Sequence, residues 1–153
     1  MVRAWRIVKT GFSADAFSGE GARLYGGRWN SSGIAMVYTA GSKSLATLEL
    51  LVHLHNTSVL PSFSICPVDF DDSLVELIHP DTLPPDWNQS AAPISLQTIG
   101  DDWISRGSSV VFRVPSAVIE TENNYLINPG HKDFKLLVIG SMEVFKLDPR
   151  LIS

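Results

Sequence analysis

Between Leu45 and Leu54 the chain carries one formally charged residue, Glu49. Neither glycine nor proline interrupts this stretch, and Ser42 or Ser44 stands ahead of it as a helix cap. The segment therefore predicts a helix from Leu45 to His55, ending near Asn56. At about 100° per residue, Glu49 shares a face with Leu45, Leu48 and Val52. Leu50, Leu51 and Leu54 make much of the other side apolar as well. A carboxylate entering a core is costly unless it is paired or hydrogen-bonded. Two roles meet that condition: a structural ion pair or cap of loop amides, and a functional carboxylate in a pocket. The pattern alone weights them about equally.

Strands dominate the rest of the chain. Ala4 to Val8, Ile34 to Thr39, Phe63 to Phe70, Val110 to Val114, Phe134 to Ile139 and Met142 to Leu147 read as strands from their β-branched and aromatic content. Asp101 to Arg106 reads as a short helix, and Leu126 to Gly130 as a turn. The region from Asp71 to Gly100 is mixed and broken by Pro80, Pro84, Pro85 and Pro93. Many strands with few helices favour an α+β domain with an antiparallel or mixed sheet over a doubly wound one. A length of 153 residues fits one domain, taken as residues 1–153, with enough chain to bury a core without staples.

Composition excludes several functions. The net charge is −4, and the 12 basic residues are scattered, which argues against a grip on a nucleic-acid backbone. The single cysteine, Cys66, forms no internal disulfide and no cysteine zinc site. Beside Pro67 in an apolar stretch, it reads as a small buried hydrophobe. His53 and His55 lie two apart on a helix and point in different directions, so no metal site is expected. The N-terminal segment has no apolar core or cleavage-like site, and no stretch approaches the roughly 18 apolar residues of a membrane span. A soluble, cytoplasmic protein without membrane contact is expected.

The segment from Gly11 to Gly33 reads as a long irregular loop, a type that is usually functional when it is ordered. Tyr25 and Trp29 argue for order. Gly19-Glu20-Gly21 does not continue into a dinucleotide fingerprint, because Leu24 stands where the third glycine belongs, and no Walker loop is present. In Gly26-Gly27-Arg28-Trp29-Asn30, Arg28 is either a forked clamp for a phosphate or a surface arginine on a glycine turn, and Trp29 offers a flat packing surface. Tyr38 is either a stacking and hydroxyl-donating group or core. Ser116 with His131 invites comparison with a serine hydrolase. However, Ser116 lacks a Gly-x-Ser-x-Gly elbow and sits beside Pro115, which demotes that reading.

Trp5-Arg6-Ile7, the 26–30 segment, Val37-Tyr38-Thr39, the helix with Glu49, Val114-Pro115-Ser116-Ala117-Val118, Asn124-Tyr125-Leu126-Ile127-Asn128-Pro129 and His131 follow one another through most of the chain. In order and spacing they resemble the RES domain, a family of bacterial toxins usually encoded beside an Xre-type helix-turn-helix antitoxin. The arginine, glutamate and serine of the family name match Arg28, Glu49 and Ser116, with Ser108 and Ser109 as weaker alternatives for the serine. The resemblance implies an ADP-ribosyltransferase-like split β-sheet core with flanking helices. It also implies NAD+ as substrate, consumed by hydrolysis, phosphorolysis or transfer of ADP-ribose to a protein.

On that footing the expected catalytic set is Glu49, Arg28, Tyr38 and Ser116. Glu49 would stabilise positive charge on the ribose, Arg28 would bind the pyrophosphate, and Tyr38 would pack on the nicotinamide. Ser116 and Asn128 would position ribose or phosphate oxygens. Trp29, Asn30, Arg6 and Tyr25 complete the expected NAD+ pocket. No second acidic residue stands near Glu49 in sequence to activate an arginine acceptor, which favours a small acceptor. An Xre-family antitoxin covering the pocket is the implied partner, with a homodimer as a further option. A module that binds a nucleotide or partner without catalysis, with Arg28 and Glu49 as a structural pair, is the competing class.

Overall fold

A computed structural model of the chain describes residues 1–54 and 60–152. Eight strands form one sheet: β1 (Val2–Lys9), β2 (Val37–Ala40), β3 (Phe63–Phe70), β4 (Val75–Leu77), β5 (Val111–Pro115), β6 (Asn123–Ile127), β7 (Val138–Ile139) and β8 (Glu143–Phe145). Their order is β4-β5-β6-β2-β1-β3-β7, with β8 also on β3. Only β4 and β5 run parallel, and every other pair is antiparallel. Among the described residues three α-helices accompany the sheet: α1 (Glu20–Tyr25), α2 (Lys43–Leu51) and α3 (Ile94–Arg106). The α+β class with a mixed sheet is the one expected from the sequence.

The sheet is two half-sheets joined at a narrow seam. β1 and β3 pair over their full length, from Val2↔Phe70 to Lys9↔Phe63. By contrast, β1 meets β2 through the single pair Trp5↔Ala40. Period-two alternation sends side chains to opposite faces. One face packs Ala4, Val37, Val68, Phe70, Val111 and Ile127 against Phe17, Leu74 and Phe134 from irregular segments. The other places Phe112, Val114 and Leu126 under Leu96 and Trp103 of α3, together with Trp29 and Met36. Beside this, Ala40 packs against Leu45 and Ala46 of α2, flanked by Trp5 and Ile7 of β1. Both helices lie on the face that holds the site.

Several elements differ from the sequence reading. Ser42 caps α2 by accepting the Leu45 N–H at 3.0 Å, but the helix ends at Leu51; the expected end near Asn56 falls outside the described residues. α3 begins at Ile94, seven residues before the expected Asp101, and runs through Gly100. Leu126 and Ile127 are not a turn but the buried end of β6, held between β2 and β5. The expected strand from Phe134 to Ile139 is mostly a 3-10 turn, Lys132–Leu136, leaving Val138–Ile139 as β7. Among the described residues, no helix is long and apolar enough to cross a membrane.

Candidate active site

A cavity of about 580 Å³ opens at the seam between β1 and β2, within the usual size range of small-molecule pockets. Its wall includes Arg6 and Trp5 from β1, Tyr38 and Ala40 from β2, Glu49 and His53 from the α2 region, Asn124 from β6, and the 25–29 segment. Ser90 and Ala92, from the stretch ahead of α3, complete one side.

Glu49 comes from the last full turn of α2, so its carboxylate reaches over the sheet at Ala40. Its Oε1 accepts two hydrogen bonds, from Ser116 Oγ at 2.7 Å and from Asn124 Nδ2 at 2.8 Å. Among the described residues Oε2 makes none, and no lysine, arginine or histidine forms an ion pair with Glu49. The structural Arg28–Glu49 pair of the competing non-catalytic reading therefore does not form. Ser116 is fully buried behind the carboxylate. Its Oγ also accepts the Val118 and Ile119 N–H groups at 3.0 and 3.1 Å, so its hydrogen is left to point at Glu49. Ser108 and Ser109 lie elsewhere, with both hydroxyls on Glu76.

Arg6 crosses the seam. Its Nε donates to the Ala16 carbonyl at 2.9 Å and its Nη1 to the Tyr38 carbonyl at 3.1 Å, filling an acceptor that the short β1–β2 pairing leaves open. Burial without a carboxylate partner pulls its pKa down to about 10. It stays charged at neutral pH, a cation in the wall of the cavity.

Arg28 is engaged differently from expectation. Nη1 donates to the Trp87 carbonyl at 3.0 Å and Nη2 to the Ser90 carbonyl at 3.3 Å, tying the 26–30 segment to the stretch ahead of α3. Five N–H donors leave a guanidinium capacity beyond these two bonds. Tyr38 presents its ring to the cavity, while its hydroxyl accepts the Trp29 N–H at 3.0 Å and donates to Asn30 Oδ1 at 2.6 Å. Burial raises the phenol well above its ordinary range, so the hydroxyl remains a donor. Gly27 allows this approach, since a Cβ there would stand 2.6 Å from the Tyr38 oxygen.

Arg6, Tyr25, Arg28, Trp29, Tyr38 and Glu49 thus share the cavity, with Tyr25 85% exposed at its rim. Trp29 is otherwise core, packed with Met36 and Trp103. Three residues of the expected set stand apart from the wall, and the first, Ser116, is fully buried with its hydroxyl committed to Glu49 and two backbone N–H groups rather than to ribose or phosphate oxygens. Asn30 is fully buried, with Nδ2 on the Ala22, Ser31 and Ile34 carbonyls, and it braces the glycine segment rather than facing a ligand. Asn128 Oδ1 accepts the Gly130 N–H at 3.0 Å and shapes the turn after β6. The Ser116–His131 pairing does not exist either. His131 Nε2 meets the Gly107 carbonyl at 2.8 Å, and its Nδ1 accepts the Asp133 N–H at 3.0 Å. Among the described residues no three or more His, Cys, Asp or Glu side chains gather into a metal-binding group.

Asn124 is the residue that sequence reasoning missed. The signal available was alternation, since Asn124 precedes the buried Leu126 by two positions and so shares its face. Among the described residues its Oδ1 has no partner and is sealed from solvent, a situation costing about 1–3 kcal/mol.

The family model of the RES domain matches residues 3–148, and the chain belongs to the RES-domain family. It is 40% identical over 148 residues to a protein named Toxin Res from Yersinia enterocolitica, covering 96% of this chain and 97% of that one. It is 34% identical over 153 residues to a Prs ADP-ribosylating toxin from a Sphingobium species, covering 97% and 95%. The crystal structure of the M. tuberculosis MbcT–MbcA toxin–antitoxin complex has the same fold. Its TM-score is 0.78 over 95% of this chain and 84% of that one, at 18% identity.

Proposed function

We propose that this chain is the toxin of a toxin–antitoxin pair and that it binds NAD+ in the seam cavity and breaks the nicotinamide–ribose bond. The observation that carries this reading is Glu49: a carboxylate in a cavity wall, held on one oxygen by two neutral donors and, among the described residues, in no ion pair. Nicotinamide leaves NAD+ as a neutral base, so departure needs no proton, and one carboxylate suffices where ordinary glycoside hydrolysis uses two. The ribose gains oxocarbenium character as the bond breaks. Glu49 stabilises that charge from a fixed position and accepts a bond from a ribose hydroxyl. Arg6 and the remaining N–H groups of Arg28 serve the pyrophosphate, and the Tyr38 ring packs on the nicotinamide.

Water as acceptor makes the chain an NAD+ glycohydrolase, and phosphate makes it a phosphorylase. Either would deplete NAD+ in the cytoplasm. The name of the Sphingobium relative favours a second reading, transfer of ADP-ribose to a protein. The antitoxin is proposed to be of the Xre family. The resemblance of the sequence suggests this, and the toxin–antitoxin complex among the structural neighbours is consistent with it.

The test is incubation of purified protein with NAD+, with and without phosphate, following nicotinamide by chromatography. Glu49→Gln is expected to lower turnover on the order of 10²-fold, as loss of one electrostatic stabiliser does. Near-wild-type turnover in that variant overturns the assignment. Nicotinamide release only in the presence of a protein acceptor selects the second reading.

A further inference from the structure

We propose that Asn124 is a positioning residue for the reaction at Glu49, a role that rests on the NAD+-cleaving reading above. Asn124 sits on β6 with a strand on either side, opposite Ala40 of β2 and Val114 of β5. It is therefore among the more rigidly held points of the sheet. Ser116 follows β5, and its hydroxyl is oriented by two backbone N–H groups. Two donors on independent supports converge on the same atom, Glu49 Oε1. One donor would leave the carboxylate free to turn about that contact. Two fix its plane and leave Oε2 as the oxygen without a protein partner.

The amide orientation follows from the same contact. Turned over, Asn124 would set its carbonyl oxygen against a carboxylate oxygen, two acceptors facing each other. As it stands, Nδ2 serves Glu49 and Oδ1 is buried without a donor. A side chain chosen for stability would not leave that oxygen orphaned. Leucine, close in shape and lacking both polar atoms, would fill the place without it. The asparagine at 124 makes sense as a donor kept for Glu49.

Stability and turnover should therefore separate in Asn124→Leu. In the purified full chain, this variant is expected to melt at or above the wild-type temperature. Its kcat for nicotinamide release should fall at least tenfold, with KM for NAD+ within about threefold, since leucine keeps the volume of Asn124 in the cavity wall and leaves Arg6, Arg28 and the Tyr38 ring in place. If Asn124→Leu does not fold, Asn124→Asp carries the same test. It keeps the shape, loses turnover at neutral pH through like charge against Glu49, and regains it toward acidic pH as the introduced carboxyl becomes a donor again. The other ionisable groups of the cavity wall, Arg6, Tyr25, Arg28, Tyr38 and His53, are common to both proteins, so the difference between the two profiles reports the new carboxyl. Wild-type kcat in Asn124→Leu overturns the proposal. So does a loss of activity matched by a loss of melting temperature, which would make the residue merely structural. A wild-type protein that releases no nicotinamide overturns the functional reading, and this inference with it. An active wild type with an equally active Asn124→Leu overturns this inference alone.

Discussion

At Gly100, α3 packs directly on the candidate-site segment, and Gly100→Ala tests how tightly the two are joined. A Cβ at this position would stand 1.7 Å from the Trp29 carbonyl oxygen and 2.7 Å from its carbon, while real Cβ atoms essentially never approach closer than 3.0 Å. Helix and loop must separate by more than an ångström. One turn earlier on the same helix, Gln97 Nε2 donates to the Gly27 and Asn30 carbonyls at 3.0 and 3.1 Å, and such a displacement breaks both bonds. Their loss is worth about 1 kcal/mol each, and overpacking adds about 1–3 kcal/mol. Replacing a helical glycine returns about 1 kcal/mol. The net destabilisation is about 2–4 kcal/mol, or roughly 5–15 °C in Tm for a domain of this size. Thermal melting by circular dichroism reads it directly. Gly21→Ala, in α1 with nothing within 4 Å of the added methyl, serves as the control and should leave Tm unchanged or slightly raised. A Gly100→Ala protein melting within 2 °C or so of wild type would refute the contact and the rigid link between α3 and the Arg28–Trp29 segment.

Tyr38→Phe removes the hydroxyl that joins the Trp29 N–H to Asn30 Oδ1. A loss of about 2 kcal/mol or more is expected from the two stranded groups, with KM for NAD+ little changed because the ring face remains; melting and steady-state kinetics check the two halves. Acid stability follows from Glu20, Asp69, Asp71 and Asp148. Their carboxyls are held below the ordinary range by Arg23, Arg3, the Ser73 N–H and Arg150, respectively. A carboxyl depressed in the folded state binds fewer protons than in the unfolded chain, so its contribution is present at neutral pH and lost as pH falls through the folded value. Tm should stay level above pH ~5 and decline below ~4. Because these pairs are exposed, high salt should make the decline shallower; an acid-labile Tm that salt does not touch would point to buried groups instead.

Elements with strong local signals were readable in the sequence. Phe63–Phe70 is recovered to the residue as β3, and Ser42, one of the two serines the pattern offers, caps α2. Failures came where tertiary structure overrides local preference. Asn123 and Asn124 are poor strand formers, and Pro129-Gly130 follows closely, so the sequence shows no strand here and the end of β6, Leu126 and Ile127, reads as part of a turn. It is a strand because both neighbours, β2 and β5, supply partners for its backbone. The proline-broken stretch up to Gly100 hides the first half of α3, which runs through Gly100 because close packing on Trp29 requires glycine there. The parallel strand β4 has three residues and is visible only through its pairing with β5.

The site was legible as residue types but not as contacts. Glu49 stood out because one charge in an apolar helix demands compensation, yet nothing local says what compensates it. The answer comes from Ser116 and Asn124, 67 and 75 positions away, brought there because β6 inserts between β2 and β5. The sequence left an ion pair, a cap of loop amides and a functional carboxylate open, and Arg28 was the cation of the ion pair in the competing reading. Arg28 instead ties down carbonyls 59 and 62 positions along the chain. This difference bears on chemistry. A carboxylate neutralised by a guanidinium would present little net charge to a ribose becoming cationic. One held by a hydroxyl and an amide has no counter-charge bonded to it and loses its freedom to reorient, and in the proposed reaction a group fixed in this way needs no rearrangement when positive charge develops beside it.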